Sequence, residues 1–94
     1  MKPAVAEEKV PGGKLVRVMV RTDGRVALSG DFFMHPEESI ILIEDLLSRL
    51  DGTEPALEIE RLLDQLVRDV NIRLLGIDTR TIIRLYRRCL ACGE

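Results

Sequence analysis

Tryptophan is absent from this chain, tyrosine occurs once and phenylalanine twice in 94 residues. So few rings argue against the aromatic platforms on which single-stranded nucleic acids stack. Histidine occurs once, at His35, and cysteine twice, at Cys89 and Cys92. A closed zinc site takes four ligands, and His35 is the only other soft candidate beside the two thiols, far from them in sequence. No apolar run approaches the ~20 residues that span a bilayer, and Met1-Lys2-Pro3-Ala4-Val5-Ala6-Glu7-Glu8 lacks the apolar stretch of a signal peptide. The chain is therefore expected in the cytoplasm.

What is present suffices for a core. Apolar residues make up 46% of the chain, well outside the range of disordered sequences. A chain this short buries only ~60–65% of its unfolded surface, so its stability margin is thin and a binding partner adds to it. Net charge is −2, which by itself points to neither nucleic acid nor an anionic membrane. The charge is nonetheless uneven. Residues 1–36 carry six basic and four acidic side chains, residues 37–70 three and ten, and residues 71–94 five and two. An acidic centre is followed by a basic end, as on solvated helix faces or docking surfaces.

Residues 1–11 read as a flexible leader ending at Pro11-Gly12-Gly13, a pair of backbone breakers. Leu15 to Arg21 then alternates, with Val16, Val18 and Val20 on one face and Arg17 and Arg21 on the other. Asp23-Gly24 suits the positive φ of a tight hairpin turn, and a return strand from Arg25 to about Phe33 puts Val26, Leu28 and Phe32 on one face. Pro36 with Glu37 and Glu38 fits a helix start. Ile40, Ile43, Leu46, Leu47 and Leu50 form an apolar stripe over 36–50, with Gly52 as its C′ residue. Thr53 as N-cap and Pro55 in the first turn open a second helix, whose stripe is Ile59, Leu62, Leu63, Leu66, Val67 and Val70. Residues 71–77 fit a helix break or a short extended piece. Asp78 caps a last helix over 79–91 with Ile82, Ile83, Tyr86, Cys89 and Leu90 facing inward. The expected fold is α+β: an antiparallel β-hairpin, to which a short third strand can be added, packed against three α-helices, in one domain over 12–94. A two-stranded sheet alone is marginal, so its apolar face must be covered.

Candidate chemistry is sparse. Cys89-Leu90-Ala91-Cys92 ends a helix, whereas a redox CxxC begins one, where the helix dipole lowers the thiol pKa. The pair suits packing, or a metal site shared between chains. Gly12-Gly13-Lys14 precedes a strand and lacks the surrounding pattern of a P-loop, which fits a turn. Glu37–Glu38 and Glu44–Asp45 are sequence neighbours and point apart on a helix, unsuited to acid–base work. Arg80, Arg84, Arg87 and Arg88 lie at roughly helical spacing and suit phosphate, but without interleaved aromatics. No set of residues forms a catalytic site.

Taken in order, Lys9-Val10-Pro11-Gly12-Gly13-Lys14-Leu15 leading into a strand, the Asp23-Gly24 turn, and Gly30-Asp31-Phe32-Phe33 leading into a helix resemble one known arrangement. It is similar to the small C-terminal accessory domain of lipoate–protein ligase A, in some archaea a separate polypeptide beside a separate catalytic subunit. The likeness covers residues 9–50 and extends beyond only in helix pattern. It implies a non-catalytic accessory subunit, inactive alone and binding no cofactor alone. The large catalytic subunit would hold ATP, Mg and lipoate, activate lipoate to lipoyl-AMP, and pass lipoyl to acceptor domains. That subunit's glycine-bearing arginine motif is not matched here, since Arg87-Arg88 is followed by Cys89-Leu90. The terminal CxxC also departs from the family pattern.

Under this resemblance, Gly12, Gly13, Lys14, Gly30, Asp31, Phe32 and Phe33 are the candidate partner-facing residues. Phe32 continues the inward face of its strand, and Phe33, one residue on, points the opposite way. A rigid ring left outside anchors a partner well. Asp31 suits the cap of the turn, and Gly30 permits close backbone approach. Two other readings stay open: a sulfur- or metal-handling scaffold using Cys89 and Cys92, and a basic-helix adaptor for nucleic acid.

Overall fold

In the computed structural model, residues 3–9 and 14–92 are described, Cys92 by its backbone alone. Gly12 and Gly13 lie outside the described residues. The chain is α+β, with eight elements in the order β1 (Ala4–Lys9), β2 (Leu15–Val20), β3 (Val26–Gly30), β4 (Phe33–His35), α1 (Ser39–Arg49), α2 (Ala56–Val70), β5 (Arg73–Leu75) and α3 (Thr79–Cys92). β1, β2 and β3 form an antiparallel sheet in that order, and β4 and β5 form a separate two-stranded ribbon.

The hairpin follows from its turn. Gly24 takes φ of +88°, Gly24 N–H donates to the Arg21 carbonyl at 2.9 Å and Arg21 N–H to the Arg25 carbonyl at 2.7 Å. The Asp23 carboxylate accepts from Arg25 N–H at 3.0 Å, so both residues of the Asp-Gly pair shape the turn. From it, Val20 pairs with Val26 and Val18 with Leu28. Alternation then sends Val16, Val18, Val26 and Leu28 to one face, where all are buried.

Helices cover that face alone. α3 packs on β1 and β2, α1 on β3, and α2 lies against α3 and α1. The stripes supply the contact: Ile43 and Leu47 from α1, Ile59 and Leu63 from α2, and Ile82 and Leu85 from α3 are all at most 1% exposed. Each such aliphatic side chain contributes ~1.5–3 kcal/mol when removed from water. The opposite sheet face stays open, with Val5 and Arg17 exposed or half-exposed. Among the described residues no helix is long and apolar enough to cross a membrane.

Several boundaries differ from the sequence reading. Residues 4–9, expected within a flexible leader, form edge strand β1, because pairing with β2 from Ala4↔Val20 to Lys9↔Leu15 gives their backbone a ladder. The return strand stops at Gly30, and Phe33–His35 belong to the other sheet. The third strand of the main sheet is β1, while the 71–77 segment supplies β5 to β4. Helix α1 begins at Ser39 rather than Pro36, and residues 36–38 form a turn before it. Thr53 does not cap α2. Its N–H and hydroxyl donate to the Asp51 carboxylate at 2.9 and 2.6 Å, and the N-cap is Pro55 with no side-chain bond. Gly52 has φ of +91° but follows the Leu50 C-cap by two residues. Asp78 does cap α3, accepting from Thr81 N–H at 2.7 Å.

Candidate functional site

The corner after β3 is built on one glycine. Gly30 has φ of +141°, a region that side chains rarely enter. A Cβ there would lie 2.1 Å from the Leu15 carbonyl oxygen. The close approach lets Asp31 N–H donate to that same oxygen at 2.8 Å, which clamps the end of β3 to the start of β2. It is this backbone N–H, rather than the Asp31 carboxylate, that closes the turn.

Beyond the clamp the two rings separate. Phe32 is partly buried and packs against the core, while Phe33 is 68% exposed. Their split arises because Phe33 enters β4, whose register sets Phe33 opposite Leu75, Met34 opposite Leu74 and His35 opposite Arg73. Alternation turns Met34 and Leu74 inward, where Met34 is buried and Leu74 rests on the core. Phe33, Leu75, His35 and Arg73 share the outer face and are all exposed. Directly opposed residues on one face bring their side chains together, so Phe33 and Leu75, the latter 61% exposed, form one apolar patch flanked by cationic Arg73. Next to it, a cleft of about 210 Å³ is lined by Phe32, Phe33, Met34, Glu37 and Ile40.

Lys14 joins the corner from below. Gly76, with φ of +80°, sits where an added Cβ would meet Lys14 Cγ at 3.5 Å, the Asp31 carbonyl oxygen at 3.6 Å and Phe32 Cα at 3.6 Å. The aliphatic stem of Lys14 thus lies against the turn after β5, and its residue is exposed, a geometry in which the ammonium reaches water while the stem packs. The described part of the candidate set, Lys14, Gly30, Asp31, Phe32 and Phe33, is therefore brought together. Leu75 and Gly76 complete the corner and were not singled out from sequence. Nothing local marks them, since they arrive there through the β4–β5 pairing.

The other candidates lie elsewhere. Cys89 is 1% exposed beneath the sheet, its thiol directed to the Val18 carbonyl at 3.2 Å, so a ligand could reach its sulfur only by opening the core. Arg80, Arg84 and Arg88 of α3 are engaged within the chain. Arg84 bonds Glu8, with Nε at 3.1 Å from Oε1, Arg88 lies 3.7 Å from the same carboxylate, and Arg80 pairs with Glu60 at 3.4 Å. The Arg84 hydrogen bond holds the Glu8 carboxyl below the usual carboxylate range and raises the Arg84 guanidinium in turn. A cleft of about 340 Å³ between α2 and α3 is lined by Arg80, Arg84, Arg87, Glu60, Ile83 and Ala56.

What the corner offers chemically is a binding surface: a ring, an aliphatic neighbour, a cation and a rigid turn. Compared with protein-family models, with curated proteins and with solved structures, the chain finds no match.

Proposed function

We propose that this chain is a non-catalytic accessory subunit of a cytoplasmic two-component lipoate–protein ligase, with the corner from Gly30 to Phe33 as its partner-facing surface. The large catalytic subunit is its partner and holds lipoate, ATP and Mg. Together they activate lipoate to lipoyl-AMP, which then serves lipoyl-acceptor domains. The observation that carries the reading is the division of the paired rings, Phe32 packed on the core and Phe33 exposed beside Leu75. An exposed ring on a clamped backbone loses little freedom on docking, which is what makes rigid aromatics effective anchors.

The physical role follows from that rigidity. Gly30 and the Asp31–Leu15 bond fix the corner before any partner arrives. Binding to the conformer of the catalytic subunit whose mobile loops are arranged for adenylation raises that conformer's population, by an amount set by the differential affinity. Lys14, with its stem held against Gly76, presents a cation to a phosphate or carboxylate on the partner's side. The burial of Cys89 and the internal pairing of Arg80, Arg84 and Arg88 favour this reading over a metal scaffold or a nucleic-acid adaptor.

Isothermal titration of lipoate and a non-hydrolysable ATP analogue into the catalytic subunit tests the proposal. Affinity is expected to rise when this chain is present at saturating concentration. Identical affinities and identical heats with and without it would rule the proposal out.

A further inference from the structure

The three-stranded sheet has two edges, and among the described residues only the β3 edge has outward backbone groups taken up by the rest of the chain. On β3 two outward backbone donors are taken by side chains of α1. Val26 N–H donates to Ser48 Oγ at 2.9 Å and Leu28 N–H to Glu44 Oε2 at 2.7 Å, while the Ser48 hydroxyl donates to the Glu44 carbonyl at 2.6 Å. These two outward bonds also fix the ladder's phase. Val26 and Leu28 point away from β2, so the odd-numbered residues of β2 bond to β3, as the Arg21–Arg25 and Asp31–Leu15 bonds confirm at either end. The even-numbered residues Val16, Val18 and Val20 must then bond to β1, through Glu8, Ala6 and Ala4. It follows that the N–H and C=O groups of Val5, Glu7 and Lys9 face outward from β1. Among the described residues no side chain or backbone group receives them.

We propose that this edge takes an extended segment of another polypeptide as a fourth, antiparallel strand. The segment carries an acidic, a basic and an apolar residue at alternate positions in that order. The pattern comes from the side chains that flank the free groups. Val5, Glu7 and Lys9 all stand on the open face of the sheet, and an antiparallel neighbour sets one residue directly opposite each. Val5 already continues a row with Met19 and Ala27, which an apolar residue extends. Arg17 reaches Glu7 through Nε and a terminal nitrogen, both at 2.8 Å and both to Oε2, which leaves Oε1 for a cation on the far side. Lys9 calls for a carboxylate. Main-chain bonds supply the attachment and these pairs supply the selectivity, as in strand addition generally.

A second copy of this chain fits less well. Pairing β1 with a second β1 in the register centred on Glu7, which matches the outward groups of Val5 to Lys9, places Glu7 opposite Glu7, and like charges directly opposed are destabilising. Shifting the register to centre on Ala6 sets Val5 against Glu7, so that Glu7 Oε1 gains no cation from the strand opposite.

The test uses the whole chain and a seven-residue peptide that alternates threonine with glutamate, lysine and valine in that order. Its control is the same peptide with the glutamate and lysine exchanged. Amide hydrogen exchange is read residue by residue by NMR. The amides of Val5, Glu7 and Lys9 should slow by about tenfold or more with the first peptide and far less with the control, while those of Ala4, Ala6 and Glu8 are slow throughout. In the chain carrying Glu7→Lys with Lys9→Glu, the preference between the peptides should invert, a readout that does not depend on a destabilised fold. Unchanged exchange at the three outward amides, equal response to both peptides, or no inversion in the exchanged chain would each overturn the proposal. So would protection that rises with chain concentration in the absence of peptide, which assigns the edge to self-association.

Discussion

Gly30 carries the largest consequence of any single residue at the corner. Its φ of +141° and the 2.1 Å separation between a built Cβ and the Leu15 oxygen mean that alanine there meets backbone on both counts. Gly30→Ala is expected to cost at least ~1–3 kcal/mol, the usual penalty for a side chain held in that region. Urea unfolding followed by circular dichroism measures it, and a midpoint equal to that of the parent would disprove the clamp. Asp78 is a second decisive residue. Its carboxyl is held below the usual carboxylate range first by the hydrogen bond from Thr81 N–H, against an opposing contribution from burial. A lowered native value means that the charged carboxylate's stabilisation is complete above the unfolded value and fades as pH falls through the native one. Asp78→Asn keeps an acceptor at the N-cap but loses the charge that favours the helix N-terminus. The stability difference between parent and variant should therefore be largest near neutral pH and close toward zero in acid. Thermal melts across that range check the sign.

Among the elements, the plugged edge of β3 ties the sheet to α1 and can be opened without touching the core. Ser48→Ala leaves Val26 N–H without its acceptor, and an unmade bond at a part-buried backbone donor costs ~1–3 kcal/mol. The loss should appear in hydrogen exchange as faster opening at Val26, with the Ala6–Val18 pairing of the opposite side little affected; uniform loss along the sheet would contradict the local role.

The elements also show where sequence sufficed. The three helices were legible because stripes such as Ile43–Leu47 and Ile59–Leu63 repeat at the helical period and lie on the buried face. The hairpin was legible from Asp23-Gly24. Strand β1 was not, since Glu7, Glu8 and Lys9 resemble a solvated leader and only pairing with β2 makes them extended. β4 and β5 were not separable for a related reason. Each is three residues long, and each takes its conformation from a partner about forty positions away rather than from local propensity. Pro36-Glu37-Glu38 carried every sign of a helix start, yet the helix begins after them. At the corner, strand alternation made the opposite directions of Phe32 and Phe33 legible, and Gly30 entered through the resemblance, whereas Leu75 and Gly76 could be found only once β4 met β5.

Over the whole molecule, the covered and uncovered surfaces divide the labour. All three helices lie on one side of the sheet, so that among the described residues the opposite face, the outer edge of β1 and the outer face of the β4–β5 ribbon are left uncovered. The basic end of the chain is folded back onto acidic partners: Glu8 on β1 receives Arg84 and Arg88 from α3. Surface pairs of this kind contribute little each, so salt should alter global stability only slightly. Under the proposed function Phe33 serves a partner and not the fold. That role is tested most directly by lipoyl-AMP formation in the catalytic subunit supplied with the parent chain or with Phe33→Ser. Phe33→Ser is expected to unfold within ~0.5 kcal/mol of the parent, as exposed substitutions do, yet to support adenylation at least about tenfold less well at equal concentration, the loss that removal of an aromatic anchor brings. A Phe33→Ser chain that folds normally and restores full adenylation would contradict that role.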